Sequence, residues 1–432
     1  MFHRQTAFIL GAGASLQYGY PTGRQLIENI ISVIRNEWIF IPSEGYTANT
    51  LDFDHISFEN LFTELTSEEL FQINFRHLEE GIQKYQIGLD KNFCKFKRHK
   101  LSEIPTFESL MKGLIEFDPV SIDKFLHDHQ QHQNVGKLLI TYCILMSETE
   151  TYFNKGKTAL YSTTNHEDTA KACDNWYRLL LNEITSSCTI AGEINNNKLD
   201  IITFNYDVSL DYYIHEKLKK TTFFSENDEV LEEFFNNNAP IRKDSHVYGR
   251  IHDIIKNPNS TKYTGYGYAD TLNKNFPADR TSKWSKNPGR KPDDKEREAL
   301  RNLITFIQAS RLKDNIEVIG EDKANDQRND LVDIIKQSTS VYIIGFGFDL
   351  TNQKLLKLKQ SLKRQKDGSS RLHIYLHDYK GIHQNIIRSL LSLSQETKFR
   401  ADPDTSATTQ SSVSTSEKIE DALVDFMTPL ID

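Results

Sequence analysis

Short apolar runs that end in glycine, asparagine or aspartate recur along this chain and restrict its fold more than any other feature. Residues 6–10 read TAFIL before a glycine turn, and residues 199–204 read LDIITF before an asparagine and an aspartate. Two later stretches, at 340–349 and 371–378, have the same form. Amphipathic helical patterns follow these runs. Short strands alternating with helices predict an α/β fold, with a Rossmann-like parallel sheet covered by helices on both faces.

The first of these turns, GAGAS, contains Gly11, Ala12, Gly13 and Ser15. A glycine pair between a strand and a helix lets the backbone approach a pyrophosphate, and a helix N-terminus supplies free N–H groups. The same glycines also form tight turns that bind nothing. Leu16 stands where a dehydrogenase fingerprint has its third glycine, and no acidic residue ends a second strand about 20 residues on. An ordinary dehydrogenase is therefore disfavoured.

Polar residues follow the later strands, and ligands of parallel sheets bind beyond the carboxyl ends of strands. The Asn205 amide is of the type that orients a water or a ribose hydroxyl, while Asp207 either serves the same site or caps the next helix. His252 lies in a strand-like stretch at 246–254, and an imidazole is suited to proton transfer near neutral pH. A lone histidine is nevertheless more often structural.

The last two strand ends carry weaker signals. Gly345 and Phe346 follow the strand at 340, where a ribose or adenine can lie against glycine backbone. A turn packed by phenylalanines explains the same residues equally well. Asp378 ends the stretch at 371–378 in a position suited to an adenosine contact.

The spacing of the strand-like runs divides the chain into three parts. Residues 1–50 and 195–398 carry the strands and are predicted to form one Rossmann-like nucleotide-binding domain. Residues 51–194 are predicted to form a large α-helical insertion, because no convincing strand pattern interrupts residues 54–146. Residues 399–432 combine a low-complexity linker with a helix that begins at a capping-box sequence. The helical patterns of the insertion are FENLFTEL (58–65), EELFQINFRHLEEGI (68–82), VGKLLITYCILM (135–146) and DNWYRLLLNEI (174–184).

Composition excludes several classes of protein. The net charge of −8 argues against a general nucleic-acid binder. The basic and aromatic stretch at 91–100 still leaves nucleic-acid contact open. The four cysteines never form a Cys-x-x-Cys pair, so neither a zinc ribbon nor disulfides are expected. Every apolar run is shorter than the roughly 20 residues of a membrane helix. We expect a soluble, cytoplasmic protein that makes no contact with membranes.

Taken in order, GAGAS with GYPTG, then FNYD, RIHD and IIGFGFD, resemble the sirtuin-like family. The closer likeness is to the bacterial sirtuin-like NAD hydrolases of anti-phage defence. The resemblance implies that NAD is the substrate and that the nicotinamide–ribose bond is cleaved. It implies that Asn205 orients the water and ribose and that His252 is the base. The implied NAD-binding residues are Gly11, Ala12, Gly13, Ser15, Pro21, Thr22, Asp207, Gly345, Phe346 and Asp378.

Two departures from the family restrict the implied reaction. Deacetylating sirtuins carry a four-cysteine zinc module, whose spacing is missing from this sequence, so no metal is expected. Asp253 follows the histidine where the family has a glycine. Both departures weigh against lysine deacylation more than against NAD cleavage.

An unregulated NAD hydrolase would kill its host cell, so the resemblance also implies a trigger. The implied options are a homo-oligomer, or a complex with a DNA-translocase ATPase of the HerA family. The sequence has no Gly-x-x-x-x-Gly-Lys-Ser/Thr loop, so such an ATPase would be a separate subunit. Two other functions stay open: a non-catalytic sensor of NAD or ADP-ribose, and a DNA-associated subunit.

Overall fold

The structure is a computed structural model. The described residues are 1–42, 96–150, 176–188, 191–221, 231, 235, 245–252, 302, 305–306, 308–310, 312–318, 325–348, 350–362 and 371–375. The predicted helices at 58–65 and 68–82, the residue Asp378 and the tail at 399–432 lie outside them. The chain forms two compact units. The first comprises Met1–Tyr20, Gly156–Arg250 and Asp322–Asp432, and the second comprises Pro21–Lys155 and Ile251–Glu321.

Within the described residues, strands and helices alternate over much of the chain. The strands are β1 (Thr6–Leu10), β2 (Trp38–Pro42), β3 (Phe96–Lys100), β4 (Leu199–Thr203), β5 (Ser340–Ile344) and β6 (Arg371–Tyr375). The α-helices are α1 (Gly23–Asn36), α2 (Pro105–Phe117), α3 (Ile122–Asp128), α4 (Gln133–Glu150), α5 (Trp176–Thr185), α6 (Ser209–Lys219), α7 (Asn325–Gln337), α8 (Leu350–Leu355) and α9 (Leu358–Ser361). None of these helices is long and apolar enough to cross a membrane.

The first unit contains a four-stranded parallel sheet in the order β4-β1-β5-β6. Every residue of β1 and of β5 is buried, which explains why these strands are almost continuously apolar after their first residues, Thr6 and Ser340, instead of alternating. Phe8 of β1 stacks on Tyr342 of β5 with ring centroids 4.7 Å apart. The predicted α/β class is confirmed in this form: a small parallel sheet combined with helices.

The register brings three strand ends to one edge of this sheet. Leu10 lies opposite Thr203 on one side and opposite Ile344 on the other. The segments that follow β1, β4 and β5 therefore begin side by side. They carry most of the residues that the sequence singled out.

The chain after β1 does not pass straight into an α-helix. Residues Ala12–Tyr18 form a 3₁₀ helix, and Gly19 ends it with φ 89°, a conformation that favours glycine. Helix α1 begins at Gly23, where the Thr22 side chain accepts a hydrogen bond from the Gln25 backbone N–H in a capping box. Its buried face contains Leu26, Ile27, Ile30 and Ile34.

The described part of the stretch at 246–254, residues 246–252, is not the strand that the sequence predicted. Over residues 245–252 the chain forms turns and single bridges. His246 pairs with Thr203 in one parallel bridge, and the Val247 N–H donates to the Thr203 carbonyl at 2.9 Å. This segment therefore contacts the end of β4 through a single bridge and adds no further strand to the sheet.

The second unit contains α1 to α4 and an antiparallel pair formed by β2 and β3. The prediction that no strand occurs within residues 54–146 was wrong, because β3 pairs with β2 from Lys100 opposite Trp38. Helix α4 confirms the predicted helix at 135–146, and α5, in the first unit, confirms the one at 174–184. The predicted domain boundaries stay a prediction.

Candidate functional site

The glycines after β1 and β5 pack against each other. The Gly11 N–H donates to the Ile344 carbonyl at 2.9 Å, and the Gly13 N–H donates to the Gly345 carbonyl at 3.0 Å. A Cβ atom on Gly11 would lie 2.5 Å from the Gly345 oxygen, and one on Gly13 would lie 2.8 Å from the Gly345 Cα. These positions require glycine because two backbone segments meet there. A phosphate bound at this turn would compete with these backbone hydrogen bonds.

Asn205, at the end of β4, reaches the turn after β1 through its side chain. Its Nδ2 donates to the Ser15 hydroxyl at 2.8 Å. The Ser15 hydroxyl in turn donates to the Asp207 carboxylate at 3.3 Å. The structure therefore joins three of the predicted site residues, Ser15, Asn205 and Asp207, in one buried chain of hydrogen bonds.

Asp207 is tied to the start of α6 as well. Its Oδ1 accepts the backbone N–H of Ser209 at 3.1 Å and also the Ser209 hydroxyl. The Ser209 hydroxyl lies 2.7 Å from that of Tyr177 on α5. Asp207 therefore binds the first residue of α6 as well as Ser15, but the N-cap position of that helix is Val208, which has no side-chain capping bond.

A small polar cavity lies within this cluster, in the first unit. Its volume is about 10 Å³, which is close to the space that one water molecule needs. Its lining residues are Leu10, Ala14, Ser15, Tyr177, Ile201, Thr203, Asn205, Asp207, Leu210, Asp211 and His246. The Asn205 Oδ1 is buried and has no hydrogen-bond partner, in a residue that is only 7% exposed. An orphaned buried acceptor beside a polar cavity marks a place for an external donor.

Burial changes the acidity of the groups around the cavity. Removal from water raises the pKa of Asp207 above its ordinary value, although the hydrogen bonds from Ser209 and Ser15 work in the opposite direction. Burial, reinforced by the charge of Asp207, raises the pKa of Tyr177 well above its ordinary value. Tyr177 is therefore a neutral hydroxyl at ordinary pH, and burial makes the Asp207 carboxyl less acidic than an exposed one.

Asp211 and His246, two ionisable residues that line the cavity, form a second set of contacts. The Nδ1 of His246 lies 3.1 Å from the Asn205 backbone carbonyl oxygen, and its Nε2 lies 3.2 Å from Oδ1 of Asp211 on α6. The Arg250 guanidinium lies 3.7 Å from the same carboxylate oxygen. Burial alone would raise the pKa of Asp211, but the charge and hydrogen bond of His246 and the charge of Arg250 hold it below its ordinary value.

His252, the histidine that the sequence singled out, belongs to the second unit. Its Nε2 lies 2.8 Å from Oε1 of Glu148 on α4, and both side chains are fully buried. Its role as a base stays a prediction. The histidine that contacts Asn205 is His246.

The other predicted site residues have local partners. Pro21 and Thr22 belong to the second unit, where Thr22 caps α1. Phe346 is buried, with its ring centroid 5.1 Å from Phe204 and 5.2 Å from Phe348. This packing fits the alternative explanation of a turn filled by phenylalanines. Ala12 begins the 3₁₀ helix after β1.

Sequence reasoning missed four members of this cluster: Tyr177, Ser209, Asp211 and His246. One signal could have found Asp211, because it follows Asp207 by four residues and such a spacing places two side chains on one face of a helix. His246 carried no signal of its own. Its position depends on the bridge to Thr203.

Comparisons with protein-family models, with curated proteins and with solved structures find no match to this chain. In the part of the chain that the structure describes, no three His, Cys, Asp or Glu residues are grouped so that they could hold a metal ion. Function is therefore inferred from the geometry around Ser15, Asn205 and Asp207.

Proposed function

We propose that the first unit is a Rossmann-like NAD-binding unit that hydrolyses the bond between nicotinamide and ribose. The observation that carries the proposal is the Asn205 amide, which is buried, bonded to Ser15 and left with an unpaired oxygen beside a polar cavity. An amide held in this way can orient a water or a ribose hydroxyl. The order of the sequence motifs supports NAD as the nucleotide.

The sheet order supports a ligand site at this edge. Strand β1 has β4 on one side and β5 on the other, so the chain reverses its direction of travel across the sheet at β1. In parallel α/β sheets such a switch point opens a crevice beyond the carboxyl ends of the strands, where ligands bind. The cluster of Ser15, Asn205 and Asp207 follows β1 and β4 at that point.

The size of the cavity defines which part of the reaction it can serve. A volume of about 10 Å³ admits a water and excludes a dinucleotide. We assign the cavity to the attacking water, with the ribose lying above it. Asn205 Oδ1 accepts one hydrogen of this water, and Asp207 lines the same space.

The proposed chemistry is a hydrolysis with oxocarbenium character at the anomeric carbon. The carbon–nitrogen bond breaks, and its electron pair returns to the nicotinamide ring as the neutral leaving group. The water oxygen bonds to the anomeric carbon and loses a proton to the Asp207 carboxylate. The raised pKa of Asp207, caused by burial, makes this carboxylate a better proton acceptor than an exposed one.

The biological setting is part of the same proposal. An enzyme that depletes NAD must be held inactive, so we propose an anti-phage defence effector that works in the cytoplasm after a trigger. Control would come from self-assembly or from a partner such as a HerA-family ATPase. A sensor that binds NAD without cleaving it is the alternative for the same site.

A nicotinamide-release assay tests this proposal. The purified chain is incubated with NAD, alone and with the protein encoded beside it, and released nicotinamide is quantified. Asn205→Ala is expected to lower the rate by about 10²-fold or more, because the water loses its orienting group. Asn182→Ala, at an exposed position of α5 in the same unit, is the matched control.

Two outcomes would contradict the proposal. Equal rates of nicotinamide release from Asn205→Ala and the parent chain would show that Asn205 is not part of a catalytic site. NAD binding by the parent without nicotinamide release under any of these conditions would favour the sensor.

A further inference from the structure

A second layer of residues lies behind Asn205. His246 is buried, and each of its ring nitrogens faces an oxygen atom: the Asn205 carbonyl for Nδ1 and the Asp211 carboxylate for Nε2. A carbonyl oxygen can only accept a hydrogen bond, so Nδ1 carries a proton. The Asp211 carboxylate faces Nε2 on the other side of the ring. The ring is therefore held between two oxygen atoms.

The Asp211 carboxylate that faces Nε2 is itself held by its surroundings. Asp211 is in the first turn of α6, is buried, and lies within 3.7 Å of the Arg250 guanidinium. Charge-assisted hydrogen bonds are roughly twice as strong as neutral ones, and they fix the direction of the donor. The direction of the His246 ring is thus set by α6, and the position of the Asn205 carbonyl is set by the ring.

We infer that His246 is a positioning residue, which holds the end of β4 so that the Asn205 amide faces the cavity. The inference rests on the proposed function and adds a residue to it. His246 also lines the cavity, and its positive charge lies close enough to Asp207 to favour the ionised carboxylate. It therefore supports both groups that the proposed hydrolysis uses.

A positioning role differs from a purely structural one in what it changes. Misplacement of the Asn205 amide slows the chemical step, while the remaining contacts to the nucleotide stay in place. The expected signature is a fall in kcat with little change in KM. Glutamine can still donate one hydrogen bond to the Asn205 carbonyl, whereas alanine cannot, so the two substitutions should differ.

The test uses the full chain, labelled with ¹⁵N at asparagine, in four forms: parent, His246→Ala, His246→Gln and His215→Ala. His215 is on the same helix as Asp211 and pairs with Glu216 outside the cluster, which makes it the matched control. The Asn205 side-chain amide signal is assigned by its loss in Asn205→Ser. Nicotinamide release gives kcat and KM for each form.

We expect His246→Ala to shift the Asn205 amide signal and to lower kcat by about 10²-fold, with KM within about two-fold. In His246→Gln, the Asn205 amide signal and kcat should both return most of the way to the parent values. His215→Ala should change neither the signal nor kcat. An unmoved Asn205 signal in His246→Ala, or a glutamine variant no better than the alanine variant, would overturn the inference. If the parent releases no nicotinamide, either alone or with the protein encoded beside it, the proposed function fails, while the Asn205 signal still decides whether His246 positions that residue.

Discussion

At the residue scale, Asp207 is a buried carboxyl on which stability and the proposed function make opposite demands. One oxygen of its carboxylate receives the hydroxyls of Ser15 and Ser209 and the backbone N–H of Ser209. Even with these donors, burial raises its pKa. A residue chosen for stability alone would be neutral at this place, because a buried charge is costly.

The pH dependence of this contribution has a definite sign. Between the ordinary pKa of 3.8 and the raised pKa in the folded protein, the folded chain holds a proton that the unfolded chain has released. The contribution of Asp207 to stability is therefore greatest below pH 3.8 and is lost as the pH rises through the raised pKa.

The first prediction concerns Asp207→Asn, which keeps the acceptor for Ser209 and removes the ionisation. We expect its free energy of unfolding, relative to the parent, to increase as the pH rises from about 4 to about 7. Nicotinamide release should fall by about 10²–10⁴-fold, because the proton acceptor is gone. Urea unfolding at several pH values and the release assay check the two parts. A variant that is less stable than the parent by the same amount at every pH would contradict the assignment of the raised pKa.

At the element scale, the contact between the turns after β1 and β5 determines whether the site can assemble. Gly345 has φ +60°, and a Cβ there would lie 2.1 Å from the Ala14 nitrogen. Both the backbone conformation and the space exclude a side chain. Because Ser15 follows directly, any movement of this contact displaces the hydroxyl that holds Asn205.

Gly345→Ala should therefore destabilise the first unit by about 3 kcal/mol, from the strained conformation and the clash with backbone atoms. Gly192→Ala is the matched control, because a Cβ at Gly192 meets nothing within 4 Å. It should change the free energy of unfolding by less than about 0.5 kcal/mol. Chemical denaturation of both variants makes the comparison. Similar effects from the two substitutions would show that the turns do not pack as described.

At the scale of the whole molecule, the two units carry different kinds of buried charge. The first unit places Asp207 and Asp211 beside a polar cavity. The second unit contains the pair of His252 and Glu148, fully buried, with 2.8 Å between Nε2 and Oε1. Removing one partner of such a pair leaves an uncompensated buried charge, which is strongly destabilising.

We accordingly predict that His252→Ala lowers the free energy of unfolding of the second unit by about 3 kcal/mol. The family resemblance implied that His252 is a base, whereas its buried contact with Glu148 makes the stability of the second unit the property to measure first. Lys124→Ala breaks an exposed ion pair with Asp128 in the same unit and should cost less than about 1 kcal/mol. Calorimetry of both variants, with the transition of each unit followed separately, checks the prediction. A His252→Ala protein no less stable than Lys124→Ala would show that the buried pair is unimportant.

Local sequence patterns predicted much of the first unit. Strand β1 occupies the predicted residues 6–10, and β4 and β5 lie within the predicted stretches. Apolar runs and helical periodicity depend on near neighbours, so they can be read without the fold. Strand β3 was missed for the opposite reason: FKRHK has no apolar alternation, and its pairing with β2 makes it a strand.

By itself the sequence determined the parallel α/β unit, the glycine turns, and Ser15, Asn205 and Asp207 as residues that follow strands. These features can be predicted from local sequence, since each lies within a few residues of a strand end. Only the tertiary structure decided that Gly11 and Gly13 pack on Gly345, and that His246 is the histidine beside Asn205. The reason is physical. Burial, hydrogen-bond partners and shifted pKa values depend on contacts between segments that are far apart in the sequence, so they cannot be predicted from composition or from the spacing of residues.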